Sequence, residues 1–513
     1  MKKLYGQEAL QLIETQLEEH QEGIRGLFAP YDKVHMVEML HDEIRAIEEF
    51  INIPLFQIAD DTIVHQLRAT SLSFQEFEVN SIKVMRLLQP FLQQDVLHRY
   101  LFTFTRISAI ANAFKLNGEP HASVASELGT IGRAVDYFQS RRRHLVTLFY
   151  SAAAMCSGRE KIDSHDVLNV FLPAIEQSCS AITGFHYKRV MFDILDDFHL
   201  TLDDHGALAS YDYQVLDKGF MEPERASILA LVRERSSQID FPESTHMTGN
   251  GRVFSAKELR SNAKVLQAVY QQFELGDAQF SELVELINIF SRHCRDGYFI
   301  EIDKARFNRI LQKQKQLPIQ ELERILVNRP SRDYAKNSNS YEPFVENDNH
   351  FISNVNLLNR FLYDFKNRHL ESRRRFQIHA GFIFEDMIKR ELEEMGFDVK
   401  GIKRIRRQEF DVVTTCDSVI YNFQCKNNYI DLAKVETDRK LFVRYNNSRV
   451  HYYRGALKKE RQRQREELLK EKLGLNDVEH YVISRFPVIC NDTNIINYNQ
   501  INKLKQIVNS TAI

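Results

Sequence analysis

Three polar side chains near the carboxyl end of the sequence combine an acid, an amide and a cation within sixteen residues. Asp411 lies in the segment EFDVV, and Gln424 and Lys426 lie in the segment YNFQCKN. Hydrolysis of a phosphodiester needs a hard cation that neutralises the phosphate and lowers the pKa of a water molecule. Carboxylate and amide oxygens suit Mg²⁺, and a lysine can stabilise the charge that develops on the phosphate. The residue types therefore predict metal-dependent phosphoryl chemistry.

A β-hairpin would bring these three side chains together. The segments Glu409–Thr415 and Val419–Lys426 have the composition of strands, and Asp417-Ser418 is typical of a two-residue turn. Such a turn pairs positions whose numbers sum to 835, which places Asp411 opposite Gln424 and Glu409 opposite Lys426.

The alternation of side chains along a strand then sorts the hairpin into two faces. Gln424 and Lys426 share the polar face with Asp411. The opposite face is apolar and is predicted to pack in a core: Phe410, Val412, Tyr421, Phe423 and Cys425.

A carboxylate from a preceding helix is expected to complete the set. Gly381–Met395 is predicted to be a helix that ends at Gly396, a residue typical of a helix C-cap. Its apolar side chains recur at helical spacing as Phe384, Ile388, Leu392 and Met395. Glu385 lies at the edge of this stripe. Glu391 lies nearer its middle, so the periodicity alone does not choose between the two acids.

Together these residues resemble the PD-(D/E)xK nuclease superfamily, and within it the Mrr-type restriction endonucleases and the archaeal Holliday-junction resolvases. The resemblance rests on Glu385, Asp411 and Gln424-x-Lys426 and covers roughly the last 150 residues. It implies a restriction-endonuclease-like α/β core with the order helix, three strands, helix, strand. A long helical segment within Ala433–Leu473 and an apolar strand at His480–Ile489 would complete that order.

The resemblance also implies roles and a cofactor. Glu385, Asp411 and Gln424 would hold Mg²⁺, with Mn²⁺ as a possible substitute, and Lys426 would complete the catalytic set. The sequence departs from many members at Gln424, where they have a carboxylate, although Mrr-type proteins carry this variant. The implied activity is a DNA endonuclease, and the implied setting is bacterial or phage-related DNA restriction or defence.

Other interpretations remain open at this point. The segment could be an α/β domain in which Lys426 only pairs with Glu409, or a degenerate nuclease core. The chain would then be a non-catalytic DNA- or protein-binding protein. A third interpretation keeps the nuclease but makes RNA the substrate, although the sequence shows no aromatic stacking platform that favours it.

Composition indicates an ordinary soluble protein. The 513 residues are 43% hydrophobic and 27% charged, and no apolar run is long enough to span a membrane. The six cysteines are scattered without a CxxC motif, which is typical of reduced thiols. The amino terminus predicts an amphipathic helix rather than a secretion signal. We therefore expect a cytoplasmic protein without a membrane partner.

Charge is divided unevenly along the chain. Residues 361–513 hold 29 Lys and Arg against 21 Asp and Glu, a net charge of +8, and the preceding residues carry −10. A basic module attached to an acidic body suits a phosphate-binding domain. The basic residues Lys403, Arg404, Arg406 and Arg407 precede Asp411 and are predicted to contact DNA.

Three regions are predicted. Residues 1–240 should form a large all-α region, residues 250–330 a helical middle region, and residues 341–513 the nuclease domain preceded by a small hairpin. Polar composition predicts boundaries at Ser236–Arg252 and an exposed linker at Asn328–Ser340. The basic run Arg141–His144 is expected to be a solvated helix face. The helical region would bind a protein partner or sense a signal, and a homodimer would allow both DNA strands to be cut.

Overall fold

The computed structural model describes residues 2–56, 60–117, 122–203, 206–212, 215–216, 255–272, 278–371, 373–429, 431–432 and 434–504. Residues 6–194 form a mostly helical half, and a mixed α/β region with two mixed five-stranded sheets follows. This confirms the predicted division into a helical region and an α/β region. The predicted boundary at Ser236–Arg252 lies outside the described residues.

Nine α-helices build the first half. Within the described ranges they are α1 (Gly6–Phe28), α2 (Lys33–Phe56), α3 (Asp61–Arg68), α4 (Phe77–Leu88), α5 (Gln94–Asn117), α6 (Ala122–Glu127), α7 (Ile131–Met155), α8 (Val167–Ala174) and α9 (Ser180–Ile194). A π-helical turn at Ile175–Cys179 connects α8 to α9. In α1 the apolar positions Ala9, Ile13 and Leu17 are buried at the predicted helical spacing. Side chains of Asp60 and Thr130 cap α3 and α7 by accepting backbone N–H groups.

Helix α7 lies at the centre of this half. Arg142, Arg143 and His144 are only 6%, 6% and 5% exposed. The expectation of a solvated basic face at Arg141–His144 was therefore wrong for three of its four residues. Arg142 pairs with Glu48 of α2, and Arg141 binds Glu176. The run is basic because it neutralises buried carboxylates, which a charge count cannot distinguish from a solvated face.

The amino-terminal region also contains a small sheet, which the all-α prediction did not include. Strand β1 (Lys2–Leu4) pairs antiparallel with β2 (Leu200–Asp203), which pairs with β3 (Gly206–Ala209). This sheet ties the first residues of the chain to the segment that follows α9.

The middle region combines helices with a sheet. Its helices are α10 (Ala256–Gln272), α11 (Ala278–Ser291), α12 (Lys304–Leu311), α13 (Ile319–Leu326) and the short α14 (Tyr334–Asn337). The sheet order is β4-β5-β8-β7-β6, from strands β4 (Cys294–Arg295), β5 (Phe299–Asp303), β6 (Val327–Asn328), β7 (Phe344–Asn347) and β8 (His350–Asn354). The predicted hairpin after residue 341 is confirmed as β7-β8. It pairs with β5 and β6, so this sheet crosses the position proposed for the last boundary, which stays a prediction.

The carboxyl-terminal region follows α15 (Val355–Glu371). Its elements are α16 (Arg374–Glu394), β9 (Asp398–Lys400), the ribbon β10 (Arg404–Ile405) and β11 (Gln408–Glu409), β12 (Val412–Cys416), β13 (Val419–Lys426), α17 (Lys434–Thr437), α18 (Arg439–Ala456), α19 (Lys459–Leu473), β14 (Asp477–Ser484), β15 (Ile495–Asn497) and a 3₁₀ segment at Tyr498–Lys503. The sheet order is β15-β14-β13-β12-β9. Strands β13, β14 and β15 run parallel, and β12 is antiparallel to both of its neighbours.

Helix α16 packs along one face of this sheet. Phe384, Ile388 and Leu392 are fully buried against Phe423 and neighbouring apolar side chains of the strands. The helix begins seven residues before the predicted start and ends as predicted, with Gly396 at φ +86°. The Phe397 N–H donates to the Leu392 carbonyl, which closes the helix end.

Five of the thirteen residues of segment 328–340 are buried and three are exposed, so the segment is not the exposed linker that its composition predicts. Tyr334, Asn337 and Ser338 are each at most 2% exposed. The Asn337 amide donates to Ser151 of α7 and to the Ser331 carbonyl, and Tyr334 contacts His144. Polar residues here form hydrogen bonds inside the protein instead of facing water, which composition does not reveal.

One apolar core joins the helical half to the carboxyl-terminal sheet. Buried side chains of α18, β14 and the loop that follows belong to the same contiguous cluster as the helices of residues 6–194, and include Phe442, Tyr453, Val482 and Ile489. A separate core fills the middle region. No helix in the described ranges is long and apolar enough to cross a membrane.

Candidate active site

The β12-β13 hairpin positions the predicted site residues and has the predicted register. Val412 pairs with Phe423 and Cys416 with Val419, so paired positions sum to 835. Asp417 and Ser418 form the turn at φ +49° and +65°, the backbone conformation of the two-residue turns that favour right-twisted hairpins. Alternation therefore assigns Gln424 and Lys426 to one face of β13.

Asp411 lies one residue before the first residue of β12 and reaches the end of β13. Its Oδ2 accepts the backbone N–H of Cys425 at 2.9 Å and lies 3.7 Å from Lys426 Nζ. The two side chains are 28% and 17% exposed, so the pair is partly shielded from water. The predicted convergence of Asp411 and Lys426 is therefore present in the structure.

Gln424 adds a buried amide beside this pair. The residue is 7% exposed, and its side chain forms no hydrogen bond within the described ranges. Gln424 and the Oδ1 atom of Asp411 thus present two acceptor atoms that no group in the described ranges uses.

The predicted pairing of Glu409 with Lys426 was wrong. The strand is interrupted at Phe410 and Asp411, and Glu409 belongs to the separate β10-β11 ribbon, where it pairs with Arg404. The interruption also moves Phe410 to the other side of the sheet, where it packs with Val413 and Leu469. The expectation that Phe410 shares a face with Val412 was wrong for the same reason.

Helix α16 brings Glu385 into the electrostatic field of the site. Burial raises the pKa of the Cys425 thiol well above its usual range, and the charges of Asp411 and Glu385 raise it further. Lys426 and Lys389 act in the opposite direction on the same thiol. Two carboxylates and two ammonium groups therefore surround Cys425.

The helical periodicity did not choose between Glu385 and Glu391, but the two acids have different surroundings in the structure. Glu391 Oε1 accepts a hydrogen bond from the Tyr498 hydroxyl at 2.9 Å, which ties it to the 3₁₀ segment. Glu385 is half-buried, and its charge acts on the Cys425 thiol, as the charge of Asp411 does. Glu385 is therefore the acid that α16 places near the hairpin.

Two cations near the site were missed by the sequence reasoning. Lys389 lies one helical turn after Glu385 and pairs with Asp386 at 3.1 Å, so helical spacing could have identified it. Arg485 directly follows β14, which runs parallel to β13 and pairs Ser484 with Lys426. The Arg485 N–H donates to the Lys426 carbonyl, and its guanidinium donates to Asn427 at 3.0 Å.

The predicted DNA-binding residues lie on the β10-β11 ribbon and its flank, not on the strand leading to Asp411. Arg404 pairs with Glu409, and Arg406 pairs with Glu471 at 3.1 Å. Lys403 and Arg407 are exposed and form no ion pair within the described ranges. The four residues therefore divide into two that are neutralised and two that are available.

The donor set predicted for a cation consists of two carboxylates and one amide. Where the chain is described, there is no group of three or more His, Cys, Asp or Glu side chains placed to hold a metal. The predicted set of Glu385, Asp411 and Gln424 contains only two residues of these types. Comparison with protein families, curated proteins and solved structures gives no match to this chain.

Proposed function

We propose that this protein is a metal-dependent nuclease that hydrolyses phosphodiester bonds in DNA. The observation that carries the proposal is the junction of Asp411 and Lys426 at the end of β13. There, one carboxylate oxygen accepts the Cys425 N–H and lies 3.7 Å from the Lys426 ammonium. A carboxylate and a lysine held this close by backbone suit a site where a phosphate meets a bound cation.

The order of elements supports a restriction-endonuclease-like core. From residue 374 the chain runs through α16, then β9, β12 and β13, then the three helices α17, α18 and α19, and then β14. This order agrees with the helix, three strands, helix, strand that the resemblance implies, with three helices in the place of its second helix. The β10-β11 ribbon is an insertion between the first two of these strands.

The side chains present fit a hard divalent cation. Asp411 Oδ1 and the Gln424 amide oxygen have no hydrogen bond within the described ranges, and Glu385 supplies a second carboxylate nearby. These three residues would hold Mg²⁺, or Mn²⁺ in its place, because both prefer oxygen ligands. Such a cation, when bound, neutralises phosphate charge and lowers the pKa of a water molecule.

Lys426 contributes separately from the cation. Its ammonium can donate hydrogen bonds to an attacking water and to a phosphoryl oxygen that gains charge in the transition state. The ion pair with Asp411 and its partial burial hold the side chain in place without enclosing it. Lys426 therefore orients the water and offsets negative charge.

The cations around this edge of the sheet favour DNA as the substrate. Exposed Lys403 and Arg407, with Arg485 beside Lys426, suit contacts with successive phosphates of a DNA backbone. The setting we propose is bacterial or phage-related DNA restriction or defence in the cytoplasm. The helical half would bind a protein partner or regulate the core.

The test is cleavage of supercoiled plasmid by the full chain with Mg²⁺, with Mn²⁺, or with EDTA. Asp411→Asn keeps an acceptor for the Cys425 N–H but removes the charge, so the rate should fall by about 10²–10⁴. Asp417→Asn, in the turn at the other end of the same hairpin, is the matched control and should cut at the parent rate.

The outcomes separate the proposal from its rivals. Equal rates for Asp411→Asn and the parent would overturn the site assignment. If the protein binds DNA equally with metal and with EDTA but never cuts it, the result would favour a non-catalytic DNA-binding protein with a degenerate core. A parallel reaction on single-stranded RNA of matched length identifies an RNA-directed nuclease if only the RNA is cut.

A further inference from the structure

Exposed apolar side chains are concentrated around helix α4. Five of the fourteen large apolar side chains that are exposed among the described residues lie between residues 74 and 91. They are Phe74, Val79, Ile82, Met85 and Phe91, with exposures from 37% to 70%. The opposite face of α4 packs Val84 and Leu88 into the core. Helix α4 therefore buries one apolar face and leaves a second one open to solvent.

The charges on the open face are divided along the helix. Glu76 and Glu78 lie at its amino-terminal end, and Lys83 and Arg86 lie towards its carboxyl-terminal end. All four residues are exposed, and none forms an ion pair within the part of the chain that the structure describes. The face thus carries an acidic end and a basic end that the protein does not neutralise itself.

The face is complementary to itself about Ile82. Glu78 and Arg86 are each four residues from Ile82, and Val79 and Met85 are each three residues away. Two copies of α4 packed antiparallel with Ile82 at the crossing would place each Glu78 opposite the partner's Arg86. The same packing would place Val79 opposite Met85 and bring the ends that carry Phe74 and Phe91 together.

We propose that α4 is the contact between two copies of this chain, related by a twofold axis near Ile82. In a twofold contact the same patch is used on both copies, so residue i meets j and j meets i. A parallel arrangement would set acid against acid and base against base, which is unfavourable. The self-complementary pattern is what selects a second copy as the occupant of this face, and it is independent of the proposed nuclease activity.

Sedimentation velocity of the full chain over a range of concentrations tests the proposal. The parent should show a monomer–dimer equilibrium. Ile82→Asp would place a carboxylate on the twofold axis against its own copy and should weaken dimerisation at least about tenfold. Glu18→Arg on α1 changes an exposed carboxylate that has no ion pair within the described ranges, and it is the control that should leave dimerisation unchanged.

Charge reversal tests the arrangement of the two helices. Glu78→Arg and Arg86→Glu should each weaken dimerisation, because each sets like charges opposite one another, and the double variant should restore it. These residues are exposed, so circular dichroism and the thermal midpoint should match the parent. A chain that stays monomeric at every concentration, or a dimer that Ile82→Asp leaves intact, would overturn the proposal. Failure of the double variant to recover would overturn the antiparallel pairing.

Discussion

The helical half and the candidate site use the same kinds of side chains in opposite ways. In the helical half, buried carboxylates are paired with arginines: Glu43 with Arg106, Glu48 with Arg142, and Glu49 with Arg99. At the end of β13, Asp411 and Lys426 are partly exposed, and Asp411 and Gln424 keep acceptor atoms that no group in the described part of the chain uses.

This difference separates groups that stabilise the fold from groups that are available to a ligand. A buried ion pair whose partner is removed leaves an uncompensated charge, so its loss is expected to affect folding. A partly exposed pair with spare acceptors contributes less to folding, and its removal should appear in function instead.

Lys426→Met should have the largest effect, and the effect should be on activity. The plasmid-cleavage rate should fall by about 10²–10⁴, because the ammonium group proposed to orient water and to offset phosphate charge is lost. The free energy of unfolding in urea should change by less than about 1 kcal/mol, because the pair with Asp411 is partly exposed. Lys304→Met, on a partly exposed lysine of the middle region that pairs with Glu346, is the control and should cut at the parent rate. Full activity of Lys426→Met would contradict the distinction between groups that stabilise the fold and groups that are available to a ligand.

Glu436→Gln should produce the reverse result. The buried side chain of Glu436 pairs at 2.5 Å with the buried side chain of Arg143 of α7. This ion pair joins the segment after β13 to the helical half. Burial opposes ionisation of Glu436, but Arg143 and Ser338 hold its pKa below the usual range. Removing the charge should cost about 3–5 kcal/mol in the free energy of unfolding.

The matched control for this pair is Glu409→Gln. Its ion pair with Arg404 is exposed at 70% and 62%, so unfolding should change by less than about 1 kcal/mol. A loss for Glu436→Gln no larger than for Glu409→Gln would mean that the helical half and the sheet are not joined through Arg143.

The buried side chain of His41 should make the stability of the fold depend on pH. The imidazole packs between Phe149 of α7 and Phe299 of β5, with ring centroids at 4.8 and 5.0 Å. Burial, with a smaller effect of Arg295, lowers the pKa of His41 from 6.5 to about 3. Between these values the unfolded chain binds more protons than the folded one, so stability is present above pH 6.5 and is lost as pH falls.

The expected loss from this single group is about 2 kcal/mol between pH 6.5 and pH 5. Urea unfolding at both pH values should show a smaller loss for His41→Phe than for the parent. His65→Gln, at an exposed histidine of α3, should behave as the parent does. An identical acid-induced loss in the parent and in His41→Phe would show that His41 is not the group responsible.

These results also indicate what the sequence could and could not predict. The hairpin register was predictable, because it depends on a local turn at Asp417-Ser418 and on strict alternation in β13. The environment of Glu409 was not, because a separate ribbon forms when the chain turns at Arg406, at φ +53°. Composition also failed to predict the burial of Arg143 and of residues in segment 328–340. Polar residues can be buried when distant segments supply their hydrogen-bond and ion-pair partners.

Gln424→Glu should change the metal requirement only a few-fold. The substitution keeps the shape and adds one charge beside Asp411, and affinity for hard cations rises with the number of charged oxygens. Half-maximal cleavage should need less Mg²⁺ than in the parent, whereas Gln424→Ala should lose most activity. Lys426 lies two residues away and would reduce the gain if it paired with the new carboxylate. Full activity of Gln424→Ala at the parent's Mg²⁺ requirement would remove Gln424 from the site.

The smallest effects are expected on the β10-β11 ribbon, where the same contrast occurs among neighbouring side chains. Arg404 and Arg406 are paired with Glu409 and Glu471, whereas Lys403 and Arg407 have no ion pair within the described ranges. Each free cation that contacts a phosphate releases a counterion, so its removal lowers the slope of log affinity against log salt by about 1.

The double variant Lys403→Ala/Arg407→Ala should therefore bind duplex DNA more weakly at low salt, and its salt slope should fall by about 2. Arg404→Ala/Arg406→Ala removes the same number of positive charges but frees Glu409 and Glu471, and it serves as the matched comparison. If direct phosphate contact matters, the first variant loses more of the slope. If only the net charge of the ribbon matters, the two variants change equally. That second result would mean that Lys403 and Arg407 make no specific contact with a DNA phosphate. DNA binding would then be due to the electrostatic field of the whole basic carboxyl-terminal region.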